Sequence, residues 1–153
     1  MVISPSYRLR CLSTYVVLFL DNICKGENET ALKAFLDKNG GIDFISKYCL
    51  VNCDTKSDEK LGGITLCLEL LIKVLKKRIE LTAEIINKGF IGLLSNFILE
   101  TRVSNKENNR TRVIRTACKV FCELADLQDK YILTSIANIT GIIPNLVLLL
   151  SEN

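Results

Sequence analysis

LTAEIINKGFIGLLSNFIL, residues 81–99, decides the fold, because nearly the same pattern stands twice more in the chain. LKAFLDKNGGIDFISKYCL (32–50) and LTSIANITGIIPNLVLLL (133–150) align with it from their first leucine without a gap. A glycine follows each leading leucine by eight residues, at Gly40, Gly89 and Gly141, and an isoleucine follows it by ten, at Ile42, Ile91 and Ile143. The position three further on is again apolar, as Ile45, Leu94 and Leu146. Self-similarity at offsets of 49 and 52 residues, holding a glycine and several apolar positions in register, is the mark of a repeat architecture.

Within each copy a short helical pattern comes first, as Leu32, Phe35 and Leu36 or Leu81, Ile85 and Ile86. The shared glycine then ends it, since glycine accepts the left-handed conformation that closes a helix. A second helix follows, carried by Ile42, Ile45, Tyr48 and Cys49 in the first copy and by Ile91, Leu94, Phe97 and Ile98 in the next. In the last copy Pro144 falls in the first turn, where its missing amide hydrogen has no intrahelical partner to lose. A longer apolar helix precedes each copy, over about 8–24, 61–77 and 111–125. In the middle one Leu61, Ile64, Leu68, Leu71 and Leu75 recur at helical spacing, while Leu66, Leu70 and Val74 add a second apolar side. A helix apolar on several sides is expected to be packed on several sides. The polar stretches 52–60 and 101–110 read as surface loops between units.

The bulk composition fits one folded domain of 153 residues, with 48% hydrophobic and 24% charged residues. Such a length buries roughly two thirds of the surface of the unfolded chain. A net charge of +3 makes no case by itself for nucleic acid or membrane. Seven cysteines, an odd number, fit a reducing cytoplasmic or nuclear compartment in which free Cys packs as a small hydrophobe. The run 15–20 behind Arg8 and Arg10 is too short for a signal peptide's core followed by a cleavage site, and no run reaches the roughly 20 apolar residues of a membrane span.

A three-helix unit with a glycine between a short first helix and a second helix opening Gly-Ile-x-x-Leu, as in Gly141, Ile143, Pro144, Asn145 and Leu146, resembles the armadillo repeat; HEAT-type repeats are the near alternative. The resemblance covers nearly the whole chain, with repeat boundaries near 7–50, 61–99 and 111–150. It implies an all-α fold, a right-handed α-solenoid of about two full units and a partial one, whose third helices line an inner groove that holds a protein or peptide. In peptide-binding members of that family the third helix offers a tryptophan and, four residues on, an asparagine. Aligned with that pattern, VVLFLDNICKG (16–26) puts Leu18 at the tryptophan position and Asn22 on the asparagine. The same register places Glu69 and Lys73 in the second unit, and Lys119 and Glu123 in the third. The chain has no tryptophan, so the resemblance does not extend to the mode that grips nuclear-localisation peptides.

What such a groove would present instead is a mixed charged strip. Arg112, Arg115 and Lys119 are spaced three and four residues apart, on one helical face, and Lys73 with Lys76 or Lys77 lies on the neighbouring helix. An acidic partner would suit it. The sequence therefore points to a non-enzymatic binding module without cofactor. The alternative is a structural segment that self-associates through the apolar run Ile142–Leu150, and a third reading is weak nucleic-acid binding through the basic stripe.

Enzyme classes fare poorly. No histidine is present, which removes every histidine-based triad, general base and metal site. Gly40-Gly41 and Gly62-Gly63 match neither phosphate-loop pattern. Carboxylates such as Asp43, Glu84 and Glu123 read as solvated surface. Cys49 with Cys53, and Cys118 with Cys122, have a spacing that a zinc site could use, but the second pair falls inside a helix and reads as packing. The Asn-x-Thr sequons at Asn28, Asn109 and Asn138 matter only in a secreted chain.

Overall fold

The computed structural model describes residues 15–16, 18–23, 25–26, 29–38, 40–53, 57–99, 109–139, 141–144 and 147. Among them all regular structure is helical. A leading helical segment within 15–25 is followed by α1 (Glu29–Asp37), α2 (Gly41–Val51), α3 (Asp58–Lys77), α4 (Thr82–Asn87), α5 (Phe90–Ile98), α6 (Asn109–Asp126) and α7 (Lys130–Ala137). A single 3-10 turn, Ile79–Leu81, leads into α4, and residues 142–144 and 147 are helical again.

The three look-alike segments share one backbone feature at their glycine. Gly40, Gly89 and Gly141 stand between the paired helices with φ of 59°, 80° and 83°, the left-handed region that a side chain enters only at a cost. Their recurrence in sequence thus has one backbone cause. Gly41 has a second, steric cause: a Cβ there would lie 2.8 Å from the Phe35 ring and from the Phe35 carbonyl oxygen, so α1 and α2 meet at a distance only glycine permits.

Two helices start earlier than the sequence suggests. Residues 58–60, read as loop, form the first turn of α3 because Ser57 caps it, accepting from the Lys60 amide at 3.5 Å. Asp58 and Glu59 lie in that first turn and Lys76 and Lys77 in the last, each sign placed where the helix dipole favours it. Likewise Asn109 and Arg110 belong to α6; residues 101–108 of the expected loop lie outside the described residues, as do Arg8 and Arg10. Asp129 caps α7, accepting from the Ile132 amide at 3.1 Å.

The core centres on α3. Ile64, Cys67, Leu68, Leu70, Leu71 and Val74 are fully buried, as a helix apolar on several sides requires. Its largest interface is with α6, and α2 packs against it as well. In turn α5 packs on α6, and α2 touches α5. Long helices therefore contact long helices and second helices contact second helices. Burial of these apolar side chains, at roughly 1.5–3 kcal/mol each, is the main stabilising term.

Candidate interaction surface

The long helices bury their apolar sides against each other and leave a polar strip uncovered. On the leading segment it exposes Leu18 and Asn22; on α3 it exposes Glu69 and leaves Lys73 half-buried; on α6 it exposes Arg112, Arg115 and Lys119 with Glu123 half-buried. Leu18 is 51% exposed, a degree of exposure that suits a contact residue better than a core residue.

Two cross-helix contacts join these strips. Lys73 Nζ donates to the Gly26 carbonyl at 3.0 Å, tying α3 to the end of the leading segment. Lys76 Nζ stands 3.4 Å from Glu123 Oε1, tying α3 to α6. An ion pair as open as this one contributes under about 1 kcal/mol; its consequence is orientation, since it aligns the polar faces of the two long helices. The buried Thr116 on α6 keeps its hydroxyl satisfied by donating to the Arg112 carbonyl at 2.7 Å.

Lys77 turns elsewhere. Its Nζ is 3.5 Å from Glu29 Oε1, at the start of α1, and with Glu29, Leu32, Lys33, Arg78 and Glu80 it lines a cleft of about 330 Å3. Opposite charges pair within that cleft. Arg78 bonds Glu80 and reaches Asp37 Oδ1 at 3.1 Å. Those carboxylates raise the guanidinium pKa, Glu80 first, and Arg78 lowers that of Glu80. Of the two lysines that sequence spacing could not separate, Lys76 joins the strip and Lys77 borders this second cleft. The signal for Lys76 was present, because it follows Lys73 by three residues, but one helical step of 100° lay below what apolar periodicity could fix.

Elsewhere Asp43 on α2 meets Lys88 at 3.0 Å and Lys47 at 3.2 Å, and hydrogen bonds from Lys88 and then Lys47 lower its carboxyl pKa. Lys88 follows α4, so the pair links the two look-alike segments. Cys118 is half-buried and burial raises its thiol pKa, with Cys122 adding to the shift; Cys122 is exposed. Among the described residues no group of three or more His, Cys, Asp or Glu converges on a point, and no helix is long and apolar enough to cross a membrane.

Comparison with protein-family models, with curated proteins and with solved structures finds no match for this chain. The residues themselves must therefore carry the functional argument. One feature of the surface went unread in the sequence: an apolar groove of about 670 Å3 between the leading segment, α1 and α2. Its aromatic residues sit at core-like spacing, and nothing local distinguishes an uncovered apolar position from a covered one.

Proposed function

We propose that this chain is an armadillo-like α-solenoid acting as a non-enzymatic protein-binding module. The partner lies along the inner strip formed by the leading segment, α3 and α6, and presents acidic side chains to Lys73, Lys76, Arg112, Arg115 and Lys119. The single observation that carries the reading is the alignment of the long helices by Lys73 with Gly26 and by Lys76 with Glu123. Lys73, Lys76, Arg112, Arg115 and Lys119 then outnumber the carboxylates Glu69 and Glu123 among the residues assigned to that strip. Asn22 and Leu18 extend that surface on the leading segment, the first as a main-chain hydrogen-bonding group and the second as an apolar contact.

The stacking of α3 on α6 and of α2 on α5 supports the solenoid, because each unit then covers the flank of the next. Fluorescence anisotropy with an extended glutamate-rich peptide tests the proposal. Wild type binds, and the double variant Arg115→Glu/Lys119→Glu does not. Equal binding by both removes the strip as the contact surface. Single-stranded DNA serves as the second probe: tighter binding to it, with an affinity that falls steeply with salt, would favour a nucleic-acid role instead.

A further inference from the structure

Cys118 and Cys122 share one side of α6. They are four residues apart inside a continuous helix, Asn109–Asp126, which sets their Cβ atoms about 5–6 Å apart. Burial raises the Cys118 thiol pKa and the charge of Cys122 adds to the shift, in keeping with that proximity. Cys118 is half-buried and Cys122 exposed, so solvent reaches the pair from the Cys122 side.

The other pair with the same sequence spacing is built differently. Cys49 is fully buried in α2, and Cys53 stands beyond the C-cap Asn52, where φ of −105° and ψ of 9° have left the helix. Helical spacing therefore does not hold between those two, and Cys49 belongs to the core.

Spacing decides what the two sulfurs on α6 can share. A disulfide needs Cβ atoms about 3.5–4.5 Å apart, closer than one turn of helix allows without unwinding. A metal between the sulfurs needs less approach: thiolate bonds of roughly 2.3 Å, as to zinc, hold two sulfurs up to about 4.6 Å apart across a linear centre. Among the described residues no third His, Cys, Asp or Glu joins the pair, so the four ligands of a closed zinc site are not assembled. Soft thiolates select copper(I), a closed-shell cation that two of them in line satisfy.

The helix also supplies charge for such a centre. Two thiolates and one monovalent cation leave one net negative charge. Each thiol has an exposed cation three residues before it, Arg115 before Cys118 and Lys119 before Cys122, on the same side of the helix.

We propose that Cys118 and Cys122 form a two-coordinate site for a soft monovalent cation, copper(I), with Arg115 and Lys119 balancing its charge. Each sulfur releases its proton to solvent and forms one bond to the metal, with no change of oxidation state. One helix holds the whole site, so the proposal stands apart from the stacking of the units and from the acidic-partner reading.

Anaerobic titration of the full chain with copper(I), in competition with bathocuproine disulfonate as a chromophoric chelator, tests it. Wild type withdraws one equivalent more than Cys118→Ser or Cys122→Ser, and Cys53→Ser withdraws as much as wild type. Losing a ligand weakens binding by more than the roughly 10–100-fold that loss of an outer-shell partner costs. Helical circular dichroism is the same in the free and loaded protein, because the spacing already fits. If Cys118→Ser loses helicity, Cys122→Ser, at an exposed position, carries the comparison. Absorption at the copper edge shows two sulfurs at a single distance. Equal withdrawal by wild type and Cys122→Ser, loss of the equivalent in Cys53→Ser, helix lost on loading, or three or more sulfurs around the metal would each overturn the proposal.

Discussion

Tyr48 on α2 occupies the space that a Cβ on Gly63 of α3 would need, with the phenol Cζ 2.7 Å from that point. The phenol oxygen is itself buried without a hydrogen-bond partner among the described residues. Close approach of α2 to α3 is thus conditional on one missing methyl group, at a position where glycine otherwise weakens a helix.

Gly62 and Gly63 are therefore expected to respond in opposite directions to the same substitution. Nothing stands within 4 Å of a Cβ at Gly62, so Gly62→Ala stabilises by about 0.5–1 kcal/mol through helix propensity. Gly63→Ala forces the phenol aside and destabilises by about 1–3 kcal/mol. Urea denaturation of the two variants checks both signs.

Tyr48→Phe removes a buried hydroxyl that has no partner, so it is expected to be neutral or mildly stabilising near neutral pH. Burial pushes the Tyr48 pKa up to about 12, from about 10 in the unfolded chain. The unfolded state then releases its proton first, and wild-type stability falls between pH 10 and pH 12, on the order of 1–2 kcal/mol. Stability measured across that interval in wild type and in Tyr48→Phe should show the extra slope in wild type alone; parallel curves would refute the assignment.

At Gly89 the cost of a side chain is conformational only, since φ is 80° and nothing lies within 4 Å of the added Cβ. Gly89→Ala is expected to destabilise by about 1–2 kcal/mol. Gly89→Asn should cost less, because asparagine tolerates the left-handed region better. Thermal melts of the pair distinguish this from a packing effect, which would penalise the larger asparagine more.

The strip residues should be dispensable for folding. Arg115 and Lys119 are exposed, and Arg115→Glu/Lys119→Glu is expected to change stability by less than about 0.5 kcal/mol for each substitution while abolishing peptide binding. A large drop in melting temperature would show that these side chains support the fold.

Thiol chemistry should follow exposure. Cys122 is exposed, whereas Cys49 and Cys67 are buried and Cys118 combines partial burial with a raised pKa. Among these four, a thiolate-seeking maleimide is expected to label Cys122 first, Cys118 later, and Cys49 and Cys67 only on unfolding. Peptide mapping of the labelled chain gives the order.

The helical class and the turn glycines were legible in the sequence, because each is a local matter. Periodicity of apolar residues selects a helix, and a glycine at a fixed offset marks a left-handed turn whatever the rest of the molecule does. The start of α3 was placed three residues late, because apolar periodicity is silent over Asp58, Glu59 and Lys60, the turn that Ser57 caps. Only the tertiary structure decided which of Lys76 and Lys77 faces Glu123, why Gly63 must lack a side chain, and that Phe19 and Phe35 open onto a groove while Leu70 and Val74 do not. Those outcomes depend on which helix lies against which, and a side chain's burial belongs to the pair of surfaces in contact, not to either stretch of chain alone.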